Sequence, residues 1–139
     1  MPASLLKRGV SAVLSREGFT EGEISVTLLS DEEIREMNHR WLGHDRVTDV
    51  IAFPLHEPGG VPLGDVYVGL EQARRQAHER GMEPSEEWLR LVVHGTLHVL
   101  GYDHPEGGEL RASSPMYRIQ EEVVDEVLGR SGPIAEAMG

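Results

Sequence analysis

The run from Pro84 to Leu100 reads as one long apolar helix with a marked beginning and end. Pro84-Ser85-Glu86-Glu87 supplies a proline suited to the first turn, a possible cap and two carboxylates that favour the positive end of a helix dipole. At the other end Gly101 stands where a chain leaving a helix takes a left-handed residue. A helix this apolar has to be covered by other elements, and the rest of the chain supplies them. Leu6, Val10, Val13 and Leu14 recur at helical spacing before Gly18, and Ile24, Val26 and Leu28 alternate with Ser25 and Thr27 as a half-buried strand. Ser30 with Glu33 is a capping box, and Ile34, Met37, Trp41 and Leu42 follow on one face before Gly43. Val47 to Phe53 and Gly64 to Leu70 read as two more strands, and Leu70 to Arg80 as a short helix closed by Gly81. Ser114-Pro115 opens a last helix whose Met116, Ile119, Val123 and Val127 are core, with its end at Gly129. The expected fold is α+β: a small mixed sheet of three to four strands packed with about five helices. One domain over 1–129 is expected, followed by a flexible C-terminal tail over 130–139.

Three of the seven histidines fall within His94-Gly95-Thr96-Leu97-His98-Val99-Leu100-Gly101-Tyr102-Asp103-His104. His94 and His98, four apart on a helix, project from one face about one turn apart, the separation that two ligands of one ion need. Gly101 allows the chain to reverse, so that Tyr102 and Asp103 carry His104 back towards the same ion. With no cysteine in the chain, any metal must be held by histidine or carboxylate. Three imidazoles around Zn2+, one per chain, leave a fourth position for water, which is how a catalytic zinc site differs from a structural one. The expectation is a metal site on the long helix and the turn after it, and metal-assisted hydrolysis as the reaction class.

The same ligand spacing occurs in the His-Glu-x-x-His-x-x-Gly-x-x-His zinc proteases, but here Gly95 stands where those enzymes carry their general base. An amide hydrolase resembling the metallopeptidases is therefore the alternative rather than the leading reading. A non-catalytic ribosome-assembly module, in which zinc only ties the last loop to the helix, is a second. Two carboxylates are candidates for a catalytic part. Asp103 adjoins His104 and either orients an imidazole, relays a proton or merely forms a turn. Asp49 lies on an apolar strand, where a carboxylate is costly unless it is hydrogen-bonded or faces a groove.

The His94–His104 segment resembles the signature of the YbeY family of bacterial rRNA-maturation endoribonucleases. Asn38, Thr48-Asp49-Val50 with Phe53-Pro54, Gly64-Asp65, and Met116 with Glu121 resemble that family's pattern in the same order, so the similarity runs from Ile24 to Leu128. The resemblance implies a zinc-dependent, single-strand-specific endoribonuclease acting in rRNA 3'-end maturation and ribosome quality control. His94, His98 and His104 would be its metal ligands, and ribosomal RNA and the small ribosomal subunit its partners. Many members carry Tyr-Arg-Gly where this chain reads Trp41-Leu42-Gly43, and leucine cannot contact phosphate. Arg40 and Arg46 are the nearby candidates to bind substrate in its place. The net charge of -11 argues against a broad basic surface, so an RNA-binding role needs a local one. There is no apolar leader segment and no stretch long enough to span a bilayer, so the expected location is cytoplasmic, away from membranes.

Overall fold

A computed structural model describes residues 3–103 and 114–130 of the chain. Its elements run α1 (Ala3–Arg16), β1 (Glu23–Leu29), α2 (Asp31–Leu42), β2 (Val50–Pro54), β3 (Leu63–Gly69), α3 (Leu70–Arg80), α4 (Pro84–Val99) and α5 (Pro115–Leu128). This is the expected α+β arrangement, with five helices and three strands among the described residues. The helix boundaries sit at the residues that local chemistry marks. Ser30 and Glu33 complete the capping box of α2, Gly43 and Gly81 close α2 and α3 in the left-handed conformation, and the Ser114 hydroxyl accepts from Tyr117 N–H at the start of α5.

The strands form one sheet in the order β1-β3-β2, with β1 parallel and β2 antiparallel to the central β3. Val66 and Val68 of β3 turn to one face and are fully buried. That face carries α4, which also packs against α1, α3 and α5. Ten of the α4 residues, from Glu87 to Val99, are buried in consequence. The close approach is made by glycine: a Cβ on Gly95 would lie 2.6 Å from Val66 Cγ1 and 3.2 Å from Val50 Cγ2, and one on Gly9 of α1 would lie 2.6 Å from Leu89 Cδ1. The apolar stripe expected of α5 is core, with Met116, Ile119, Val123 and Val127 all buried.

Two local expectations change. The second strand begins at Val50 rather than Val47, because the preceding loop is drawn towards α2, where buried Asn38 donates through Nδ2 to the Arg46 carbonyl at 3.0 Å. Asp49 therefore precedes the strand, and its carbonyl accepts from Gly69 N–H at 2.8 Å. The apolar face of α2 is covered only in part. Ile34 is fully buried, but Trp41 is 64% exposed and Leu42 is open to solvent beside it, with Trp41 meeting Phe53 edge to face at 6.5 Å. No described helix is long and apolar enough to cross a membrane. Arg130, the first residue of the expected tail, bonds Asp125 and Glu86, and 131–139 lie outside the described residues.

Candidate metal centre

The packing of Gly95 on the sheet sets the direction in which its neighbours point. With that side of α4 pressed against Val66 and Val50, His94 and His98 emerge half-buried along another face of the helix. Their rings lie 4.6 Å apart between centroids at 79° to each other, and the two Nε2 atoms face one another at 3.1 Å.

The opposite nitrogen of each ring is tied down. After α4 the chain turns at Gly101, whose φ of 101° lies in the left-handed region, and Tyr102 N–H bonds back to the Leu97 carbonyl at 3.0 Å. That turn presents the Tyr102 carbonyl to His98 Nδ1 at 3.0 Å. A carbonyl oxygen only accepts, so Nδ1 of His98 carries a proton, and in the neutral ring Nε2 keeps the lone pair. His94 Nδ1 lies 2.6 Å from Gln120 Oε1 on α5, and an amide oxygen in that place has the same consequence. Both rings thus direct Nε2 lone pairs at a shared position. Two nitrogens bound to one tetrahedral zinc at ~2.05 Å each would stand about 3.3 Å apart, close to the separation found. The donor pair fits a small divalent cation, which would replace lone-pair repulsion by coordination. Among the described residues no group of three His, Cys, Asp or Glu converges, and His104, the third expected ligand, lies outside them.

A cleft of about 360 Å³ between α4 and α5 reaches His94, and its wall contains a network of buried charge. Arg90 bonds Glu121 through Nε at 2.8 Å and Nη2 at 3.0 Å, and bonds Glu86 at 3.1 Å. Fully buried Glu87 receives Gln76 at 2.6 Å and Arg80 at 3.0 Å. Burial is the largest influence on Arg90 and opposes its charge, but hydrogen bonds and attraction from Glu121 and Glu86 outweigh it and raise its pKa above the ordinary arginine value. Burial likewise works against ionisation of Glu121, yet the bonds from Arg90 and Gln120 hold its carboxyl below the usual range. The cleft wall is therefore balanced in charge at neutral pH. Glu86 and Glu87 are more than acidic residues at a helix start: Glu87 joins α4 to α3, and Glu86 ties α4 to Arg130 just past the end of α5.

The remaining candidates lie elsewhere on the chain. Asp103 is exposed and Asp49 half-buried. Asp65 projects from the sheet face opposite α4, where Ser25 Oγ donates to it at 2.5 Å. Arg40 is exposed and paired with Glu36 at 3.4 Å, while Arg46 is exposed and makes no ion pair among the described residues. His39, His44 and His78 are on the surface and His56 is half-buried. Gln120 and Arg90 are the members of the site that pattern reading passes over. The available signal was a polar Gln120 on a helical face otherwise made of Met116, Ile119, Val123 and Val127.

The family described as endoribonuclease YbeY matches residues 3–128 of this chain. The chain is similar to the endoribonuclease YbeY of Sulfurihydrogenibium sp., 42% identical over 125 residues that cover 88% of this chain and 81% of that protein. It is also similar to the endoribonuclease YbeY of Aquifex aeolicus, 44% identical over 106 residues covering 75% and 71% of the two. The solution structure of a Thermotoga maritima protein superposes with a TM-score of 0.67 at 34% identity, covering 96% of this chain and 89% of that one.

Proposed function

The chain belongs to the endoribonuclease YbeY family, and from that premise we propose that it is a metal-dependent endoribonuclease in which His94, His98 and His104 hold one Zn2+. The observation that carries the metal half is the facing pair of Nε2 atoms at 3.1 Å, each on a ring whose Nδ1 is bound to an oxygen. Zinc in that position would polarise a phosphoryl oxygen and acidify a water. The chain's own residues supply the rest. The Tyr102 carbonyl and Gln120 orient the imidazoles, and Arg46, with its charge facing solvent, is positioned to take a phosphate of single-stranded RNA, with Arg40 a weaker second. Asp103 and Asp49 are the candidates to move a proton. We place the activity in the cytoplasm, on ribosomal RNA of the small subunit during 3'-end maturation and quality control.

The amide-hydrolase alternative loses ground on Gly95. A glutamate at that position would drive its Cβ to 2.6 Å from Val66 Cγ1, so the helix cannot present a general base there while it rests on the sheet.

The test is cleavage of an unstructured RNA by zinc-loaded protein, beside a chelated sample and His98→Ala, with bound metal counted in all three. Cleavage that tracks occupancy and falls about a thousandfold or more in His98→Ala supports the reading, since the activated water would be lost. Full cleavage by metal-free protein overturns it. Bound zinc without cleavage would point to the assembly module instead.

A further inference from the structure

A side-chain amide can present either its oxygen or its nitrogen to a neighbour, so the contact between Gln120 and His94 does not by itself decide where the imidazole proton sits. The decision is made one residue along α5. Gln120 Nε2 donates to Glu121 Oε2 at 2.9 Å, and Arg90 Nε donates to that same oxygen at 2.8 Å. Arg90 Nη2 donates to the other oxygen at 3.0 Å. A carboxylate gripped in this way only accepts. The amide nitrogen must therefore face Glu121 and the oxygen must face His94, where it accepts from Nδ1–H at 2.6 Å. An imidazole with its proton on Nδ1 has its lone pair on Nε2, the atom directed at His98 Nε2.

We propose that Gln120 is the positioning residue of the metal site: keyed by the Arg90–Glu121 pair, it holds His94 in the Nδ1–H form with Nε2 presented to a divalent cation. The proposal rests on His94 and His98 being metal ligands. Gln120 acts through His94 and does not itself reach the ion. Only 6% of it is exposed, beside the buried Met116, Val123 and Val124, so bulk water has little access to replace its oxygen. The two histidines differ in kind. His98 Nδ1 is held by a backbone carbonyl that no substitution removes, whereas His94 Nδ1 is held by a side-chain oxygen that a substitution can remove. A histidine that loses its acceptor populates both neutral tautomers, and only one of them can ligate through Nε2.

The experiment uses the full chain at about pH 8, above the ordinary range of imidazole titration. Long-range proton–nitrogen spectra of metal-free protein read the tautomer of each imidazole, and Zn2+ alone is titrated against a chromophoric chelator. Wild-type protein is expected to show His94 and His98 both as Nδ1–H. In Gln120→Leu the Nδ1–H population of His94 falls while that of His98 stays, and zinc affinity drops by about 10- to 100-fold. Gln120→Glu, which keeps an acceptor oxygen, returns His94 to Nδ1–H and recovers most of the affinity. A merely structural role for Gln120 would lower the thermal midpoint without moving the tautomer. Wild-type zinc uptake that Gln120→Leu leaves unchanged, with His94 still Nδ1–H, overturns the positioning role alone. Wild-type protein that takes up no zinc overturns the metal reading, and the cation half of this proposal with it.

Discussion

Arg90 and Arg46 carry the same guanidinium into opposite settings. Arg90 lies between α4 and α5 with 11% of its side chain exposed, bonded to Glu86, Glu87 and Glu121. Arg46 sits on the loop after α2, exposed and without an ion pair among the described residues. The first arginine neutralises carboxylates that burial would otherwise make costly, so none of its charge is left for an RNA phosphate, although the cleft it lines reaches His94. The second keeps its charge towards solvent, where a polyanion can use it. Proximity to the histidines is therefore a poor guide to which arginine is available to a phosphate. The region beside the histidine pair is fixed and balanced in charge, and the region around α2 is open, with Trp41 and Leu42 uncovered.

The largest test of that contrast is Arg90→Met. It leaves half-buried Glu121 without its cation, while Glu87 keeps Arg80, and about 3–5 kcal/mol of stability should disappear, read by urea unfolding. A loss under 1 kcal/mol would show that the network is not tight. Gly95→Ala should cost roughly 1–3 kcal/mol, because its methyl meets Val66 Cγ1 at 2.6 Å, and it should weaken zinc uptake as α4 lifts from the sheet. Unchanged zinc affinity in that variant would disconnect the sheet contact from the metal pair.

Acid provides a milder probe of the same network. Glu121 and Glu86 have pKa values lowered in the fold, where the bonds to arginine overcome burial. A carboxyl lowered on folding contributes stability that is complete above its unfolded value and is lost as pH falls through the folded one. The unfolding midpoint should therefore hold down to the ordinary glutamate range and decline below it, and Arg90→Met should flatten that decline. A midpoint independent of pH through that range would remove the network from the stability account. The smallest effect belongs to the open side. Arg46→Ala should raise KM for single-stranded RNA by about 2- to 5-fold and reduce the salt dependence of binding by about one phosphate contact, with stability unchanged within ~0.5 kcal/mol. Arg40→Ala should do less, since Glu36 beside it at 3.4 Å already offsets its charge. A larger loss from Arg40 than from Arg46 would reverse the assignment of phosphate contact between them.

Features settled within a few residues of chain were legible in advance. Ser30 with Glu33, Gly43, Gly81 and Gly101 act through bonds to backbone groups at most five residues away, so they mark helix ends in whatever fold surrounds them. The convergence of His94 and His98 is of the same local kind, since residues four apart on a helix share a face. Gln120 escaped because its partner His94 is 26 residues away, and Arg90 because Glu121 is 31 away. The start of β2 escaped for a related reason. Val47 and Thr48 suit a strand, but Asn38 on α2 claims the loop carbonyl at Arg46 and delays the pairing.

Local chain chemistry set where helices begin and end, the buried apolar stripes of α4 and α5, and the meeting of two imidazoles one turn apart beside a glycine turn. Tertiary structure decided the order β1-β3-β2, the tight seat of Gly95 on Val66, the burial of Glu87, and the approach of α5 that places Gln120 on His94. The division follows from range. Backbone hydrogen bonds and side-chain periodicity act over about one helical turn and can be read along the chain. Whether a buried charge finds its counterion, or an imidazole its acceptor, depends on which elements pack side by side, and that is fixed only when the whole core closes.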